Sequence, residues 1–206
     1  VARVNFYPNE RTILFIDGPD LHGIARSAGL DIDFRKLKNF FQERCHLLRA
    51  FYYTTVVVHD QHATIKPLVD WLDYNGFTLV TKEARLRTGT DGRQHINTNM
   101  RVELAVDALD HSDAADHIVF FTSDSAFCHL LGTLQRRGKR VTVVSTLKNN
   151  GATVADELRR QADQFIDLTD LARDVGRIQR SKPEDRTPQS RRSDYVDPDL
   201  DVDADN

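Results

Sequence analysis

Short apolar runs and helical stripes take turns along most of the chain. Residues 12–16 are almost continuously apolar, the pattern of a strand covered on both faces. Pro19 suits the first turn of a helix, which the spacing carries to about Ala28. Phe34, Leu37, Phe40 and Phe41 recur at helical spacing within residues 33–43, and residues 47–58 are long, aromatic and β-branched, as in a strand. Ile65, Leu68, Val69 and Leu72 form a further stripe, closed by the C-cap signal Asn75-Gly76. A third strand is predicted over 77–81, a basic loop over 82–97 around Thr88-Gly89-Thr90-Asp91-Gly92, and a helix over 99–109. Residues 117–122 read as the fourth strand, followed by a helix carrying Phe127, Leu130, Leu131 and Leu134 and ending at Gly138. A fifth strand at Arg140–Ser145, a helix over 154–162 and a short sixth strand over 164–168 complete the pattern. Such alternation predicts the α/β class: a doubly wound, mainly parallel sheet with helices on both faces. There is no internal repeat.

The apolar pattern is confined to one region. Residues 1–10 are expected to form a flexible arm, 11–175 a single domain, and 176–206 a disordered charged tail. The tail is divided by charge: residues 177–192 hold six Lys/Arg against two Asp/Glu, whereas 193–206 hold six Asp and no Lys or Arg. Such blocks serve as solvated tails, or the acidic end folds back onto basic protein surface in the manner of a nucleic acid.

Composition adds bounds. At 206 residues, 40% hydrophobic, the chain suits one domain with an extension. A net charge of -3 does not by itself announce a nucleic-acid binder. No apolar run reaches bilayer-spanning length, so no membrane partner is expected, and without a secretory-type leader in these residues the expected location is cytoplasmic. Cys45 and Cys128 have no metal-type spacing and read as packing residues of a reducing compartment. His59, His62, His95 and His111 are scattered, with no zinc pattern, and Trp71 is expected in or near the core.

The candidate chemistry lies at strand ends. Phe15-Ile16-Asp17-Gly18-Pro19-Asp20-Leu21 runs from an apolar strand into an acidic turn, and His117-Ile118-Val119-Phe120-Phe121-Thr122-Ser123-Asp124 does the same downstream. Open parallel sheets bind ligands beyond the carboxyl ends of their strands, where strand order reverses. If the first and fourth strands flank that reversal, Asp17 and Asp124 face one cleft. Converging carboxylates are commonly answered by a divalent metal and phosphate chemistry. Singly, each aspartate is equally explained as a helix cap.

The segment from Phe15 to Leu21 resembles the opening motif of NYN domains, PIN-like relatives of nucleases, and especially their LabA-like bacterial branch. Trp71-Leu72-Asp73-Tyr74-Asn75-Gly76, Glu103-Leu104-Ala105-Val106-Asp107-Ala108-Leu109 and Val154-Ala155-Asp156-Glu157-Leu158-Arg159-Arg160-Gln161-Ala162-Asp163 extend the resemblance over residues 11–171. It implies a PIN-like fold and an acidic cluster that binds Mg²⁺ or Mn²⁺ and cuts RNA. Three positions depart from the family pattern. Asp20 stands where the family usually has Asn. Arg101, in Thr98-Asn99-Met100-Arg101, replaces an expected acid. Ala126, in Asp124-Ser125-Ala126-Phe127, replaces another. Asp17, Asp20 and Asp124 therefore remain as candidate catalytic and metal-binding residues, with Arg101 and Ala126 as degenerate positions.

On a helix, Arg101 shares a face with Leu104, Ala105 and Ala108. From the first turn it is expected to pair with Asp17, Asp20 or Asp124 and take the charge role of a metal; otherwise it snorkels to solvent. Candidate RNA contacts are Lys82, Arg85, Arg87 and Arg93 in the basic loop, with Ser145 and Thr146 lining the cleft. Arg136, Arg137, Lys139 and Arg140 fall at the opposite pole and read as solvated surface. The expected role is RNA binding or regulatory contact by a domain whose cleavage centre is impaired, with Mg²⁺ or Mn²⁺ held weakly or not at all. The alternatives are an active Mg²⁺- or Mn²⁺-dependent ribonuclease using the three aspartates, and a module for protein contacts, including a homodimer. Gly18-Pro19-Asp20-Leu21-His22-Gly23 lacks the glycine-rich turn of a dinucleotide site.

Overall fold

The computed structural model describes residues 5–57, 65–84, 87–88, 94–95, 99–147 and 153–177, with the backbone alone at 57, 84, 87, 88, 94 and 95. Along the chain come β1 (Arg11–Asp17), α1 (Gly18–Ala28), α2 (Phe34–Gln42), β2 (His46–Val57), α3 (Lys66–Tyr74) and β3 (Thr78–Ala84). A two-stranded antiparallel pair follows, β4 (Arg87–Thr88) with β5 (Gln94–His95). Then come α4 (Arg101–Asp110), β6 (His117–Phe121), α5 (Cys128–Arg136), β7 (Arg140–Ser145), α6 (Asp156–Gln161), β8 (Gln164–Asp167) and α7 (Ala172–Val175). The main sheet has the order β3-β2-β1-β6-β7-β8, with every neighbouring pair parallel. Strand order reverses between β1 and β6, whose carboxyl ends bring Asp17 and Asp124 to one pole.

Period-two alternation divides the sheet into two apolar faces. Leu14, Ile16, Tyr52, Val119, Phe121 and Val144 pack with the residues of α1 and α2, whereas Ile13, Phe15, Phe51, Phe120, Val141 and Val143 pack with those of α4 and α5. Both faces are covered, which is why the central strands read as continuous apolar runs. Local chemistry sets the helix ends. Asp17 caps α1, accepting the Asp20 N–H at 3.2 Å, and Pro19 sits in its first turn. The helix ends at Gly29, whose φ of 67° is left-handed. Asp33 caps α2 by accepting the N–H groups of Arg35 and Lys36. Gly18 is required for space: a Cβ there would come within 2.6 Å of the Tyr52 ring.

Three expectations change. The basic loop predicted over 82–97 begins as strand, because β3 continues through Ala84 in register with Thr55, Val56 and Val57 of β2. Being an edge strand, β3 carries Lys82 and Glu83, the charges that hide an edge from a hydrophobicity pattern. Residues 5–10, read as part of a loose arm, are anchored: Phe6 packs edge-on against Phe40 and Phe41, and the Glu10 carboxylate pairs with Arg140. The third change is at the same pole, where the basic cluster is bound into the structure. Arg137 donates to the Leu109 carbonyl and Ser112 Oγ, and Lys139 to the Ala115 carbonyl. Cations settle on carbonyls left over at helix C-terminal ends. Arg140 also donates to Nδ1 of fully buried His117, which fixes the neutral tautomer with Nε2–H donating to Thr142 Oγ1 at 2.7 Å. Of the tail, Gly176 bridges to Ile32 and Arg177 donates its N–H to the Asp31 carbonyl; residues 178–206 lie outside the described residues. No helix among the described residues is long and apolar enough to cross a membrane.

Candidate functional site

Each aspartate at the carboxyl pole is fixed differently. Asp17 ends β1, where the sheet and α1 remove water from its carboxyl. That desolvation, opposed by the Asp20 N–H and reinforced by the charges of Asp20 and Asp124, pushes it up to about 6; Arg101 pulls weakly the other way. Asp20 lies in the first turn of α1 and its carboxylate bridges to the end of β6. It accepts from Thr122 Oγ1 at 2.8 Å, from Ser123 Oγ at 2.6 Å and from the Ser123 N–H. Asp124 opens a short 3₁₀ turn, accepting the Ala126 N–H with one oxygen at 2.9 Å and Arg101 Nε with the other.

Of the three aspartates within its expected reach, Arg101 therefore meets Asp124. The guanidinium does not lie inside the fold, since its side chain is 51% exposed against 22% for Asp124. Leu104 and Ala108 of α4 are buried, whereas Arg101, the first residue of the helix, is exposed. An ion pair so exposed contributes on the order of 0.2–1 kcal/mol, which makes its placement more informative than its strength. It is one of the charges through which Asp17 feels its surroundings.

Mg²⁺ takes near-octahedral oxygen ligands, usually including one or two carboxylates. A cation here would compete with Arg101 for Asp124 and with Thr122 and Ser123 for Asp20, whereas the Asp17 carboxyl accepts the Asp20 N–H through one oxygen. Among the described residues, no group of three or more His, Cys, Asp or Glu is arranged to hold a metal ion.

The candidate substrate contacts are distributed unevenly. Lys82 Nζ donates to Glu103 Oε1 at 2.6 Å, tying the edge strand to the first turn of α4 beside Arg101. Arg85 and Arg93 lie outside the described residues, and of Arg87 only its backbone in β4 is described. Ser145 and Thr146 are fully buried, contrary to the expectation that they line an open cleft. Ser145 pairs with Asp167 of β8, the Thr146 carbonyl accepts the Val154 N–H at 3.0 Å, and Ser145 Oγ has no hydrogen-bond partner among the described residues. Sequence reasoning missed Thr122 and Ser123 as the clamp on Asp20. Two hydroxyl residues between an apolar strand and an acid were the available signal. It also missed Tyr53, whose hydroxyl donates to Asp107 of α4 at 2.9 Å.

The raised Asp17 group has a testable consequence. A carboxyl titrating near 6 in the fold and near 3.8 unfolded binds more protons when folded between those values, so its contribution weakens stability as pH rises from about 4 to 6. His117 acts oppositely. Desolvation first, and Arg140 second, depress it to about 3, so its contribution is lost as pH falls below 6.5. The two oppose each other between about pH 4 and 6. Asp17→Asn is expected to raise stability at pH 7 by roughly 1–3 kcal/mol and to steepen the loss on acidification. Denaturant melts at pH 4, 5, 6 and 7 check both points; a variant less stable than the parent at pH 7 would contradict the desolvation account.

The domain is of the doubly wound α/β class, with its aspartates gathered at the point where strand order reverses. The chain belongs to the NYN domain family, matching it over residues 11–169. It is 27% identical over 176 residues to the low amplitude and bright protein LabA of Synechococcus elongatus, covering 84% of this chain and 91% of that protein. A crystal structure of a protein of unknown function from Vibrio parahaemolyticus shares the fold, with a TM-score of 0.64 at 17% identity over 80% of this chain and 96% of that one.

Proposed function

We propose that this NYN domain binds RNA through a ribonuclease-type cleft whose cleavage centre is impaired, and that Mg²⁺ or Mn²⁺ is held there weakly or not at all. The observation that carries this reading is the bond from Arg101 Nε to Asp124 Oδ2. A guanidinium keeps its charge at every physiological pH, so it offsets the Asp124 carboxylate permanently and repels a competing cation. Asp124, the acid that a metal would need beside Asp17, is committed on both oxygens. Phosphates are gripped by cations of the edge-strand region: Lys82 and, by sequence position, Arg85, Arg87 and Arg93. Single-stranded RNA suits a cleft in which recognition is electrostatic, and its binding is strongly salt-dependent.

The test is filter binding of a mixed single-stranded RNA pool from 50 to 300 mM salt, with Mg²⁺, Mn²⁺ or chelator. Retention without cleavage is expected. Arg85→Ala/Arg93→Ala is expected to weaken retention several-fold and to reduce the logarithmic salt slope by roughly 1.4, about 0.7 for each phosphate contact. Chelator-sensitive cleavage abolished by Asp17→Ala would replace this reading with an active ribonuclease. Neither retention nor cleavage would leave a protein-contact module.

A further inference from the structure

Residues of α1, α2 and α3 line a groove with an apolar floor and charged walls. It consists of two cavities of about 560 and 340 Å³ that share Phe34, Leu68 and Arg177 in their walls. Leu21 and Leu30 line one end and Trp71 the other. Arginines edge it. Arg26 and Arg35 are exposed and have no carboxylate partner among the described residues, and the Arg35 guanidinium lies 5.8 Å from the centre of the Trp71 ring. Of the acids in the cavity walls, Asp31 pairs with Arg177 at 3.6 Å and Asp33 caps α2. The groove thus presents aliphatic and aromatic floor with unanswered positive charge at its rim.

We infer that this groove is the docking site of the chain's own acidic segment, residues 193–206. The described chain leaves the domain at Arg177, which itself forms part of both cavity walls. The segment's chemistry is complementary. In Asp194-Tyr195-Val196-Asp197-Pro198-Asp199-Leu200-Asp201-Val202-Asp203, carboxylates are interleaved with Tyr195, Val196, Leu200 and Val202, and there is no cation. Apolar side chains fill the floor while carboxylates meet Arg26 and Arg35 in bidentate pairs. Seventeen residues lie between Arg177 and Tyr195, and a flexible chain of that length spans roughly 20–25 Å, ample to return to a groove it starts from. Tethering makes the encounter intramolecular, with an effective concentration in the millimolar range, so weak individual contacts suffice. The intervening residues 178–192, with five cations, are repelled by the same rim and serve as the tether.

Trp71 is the chain's single tryptophan, so its fluorescence reports the groove alone. In the full chain, Asp194→Asn/Asp197→Asn/Asp199→Asn is expected to raise acrylamide quenching of Trp71 about twofold, and 1 M salt should do the same to the parent. A photo-cross-linking benzoylphenylalanine in place of Tyr195 is expected to join, within one molecule, the peptides carrying Phe34–Arg35 or Leu68–Trp71. Unchanged quenching, cross-links scattered elsewhere, or cross-links mainly between molecules would overturn the assignment. So would protection of Trp71 by RNA equally in the parent and the tail variant, which would give the groove to nucleic acid.

Discussion

Asp20→Ala is expected to cost the domain about 3 kcal/mol, lowering the melting temperature by roughly 6–12 °C at this chain length. The carboxylate accepts from two hydroxyls and one backbone N–H at the end of β6, and so joins α1 to the strand across the switch point. Hydrogen bonds to a charged acceptor contribute about 1.5–3 kcal/mol each, and a stranded N–H costs a further 1–3. Water reaches the half-buried position and recovers part of that, which keeps the expected loss below the simple total. Asp20→Asn should lose less, since one carbonyl oxygen still accepts. Calorimetric melts decide the matter; a loss under about 1 kcal/mol for Asp20→Ala would show that the clamp is not a structural joint. The same variant bears on chemistry. A residue that holds the cleft together is a poor candidate for a metal ligand, because binding a cation would loosen the joint.

The second large effect is a gain. Arg101→Asp/Ala126→Asp is expected to raise affinity for Mn²⁺ at least tenfold over the parent, measured by titration calorimetry. The substitutions free Asp124 Oδ2, remove the fixed cation and place two more carboxylates at the pole. Hard divalent ions follow carboxylate number and local charge. Arg101→Ala alone separates the contributions, since it frees Asp124 without adding a ligand. Equal, weak binding by all three proteins would end the view that the arginine stands in for an ion.

Which parts of this were readable from residues alone follows from how local each cause is. The strand at β1 and the cap at Asp17 were legible because a doubly covered strand is apolar throughout and a capping acid sits next to its helix. The sixfold strand pattern and its parallel class followed from the same alternation. β3 was cut short because its second half carries charge, as an edge strand can, and is held by backbone pairing to β2 that a charged side chain does not disturb. Phe6 was assigned to a loose arm because its partners, Phe40, Phe41 and His117, come from distant parts of the chain. Arg140 looked like surface for the same reason: Glu10 and His117, which hold it, are 130 and 23 residues away.

At the candidate site the division is sharper. The order of residues determined that acids would stand at strand ends and that strands and helices would alternate into a parallel sheet, because caps, stripes and strand runs are set by neighbours within a few positions. The resemblance of its motifs to NYN domains placed Arg101 and Ala126 at two positions of the acidic pattern. Packing alone decided that Arg101 would choose Asp124, that Thr122 and Ser123 would claim Asp20, and that Ser145 and Thr146 would be sealed from solvent. Those outcomes depend on which strands and helices lie side by side, distances that exist only once the chain has closed on itself.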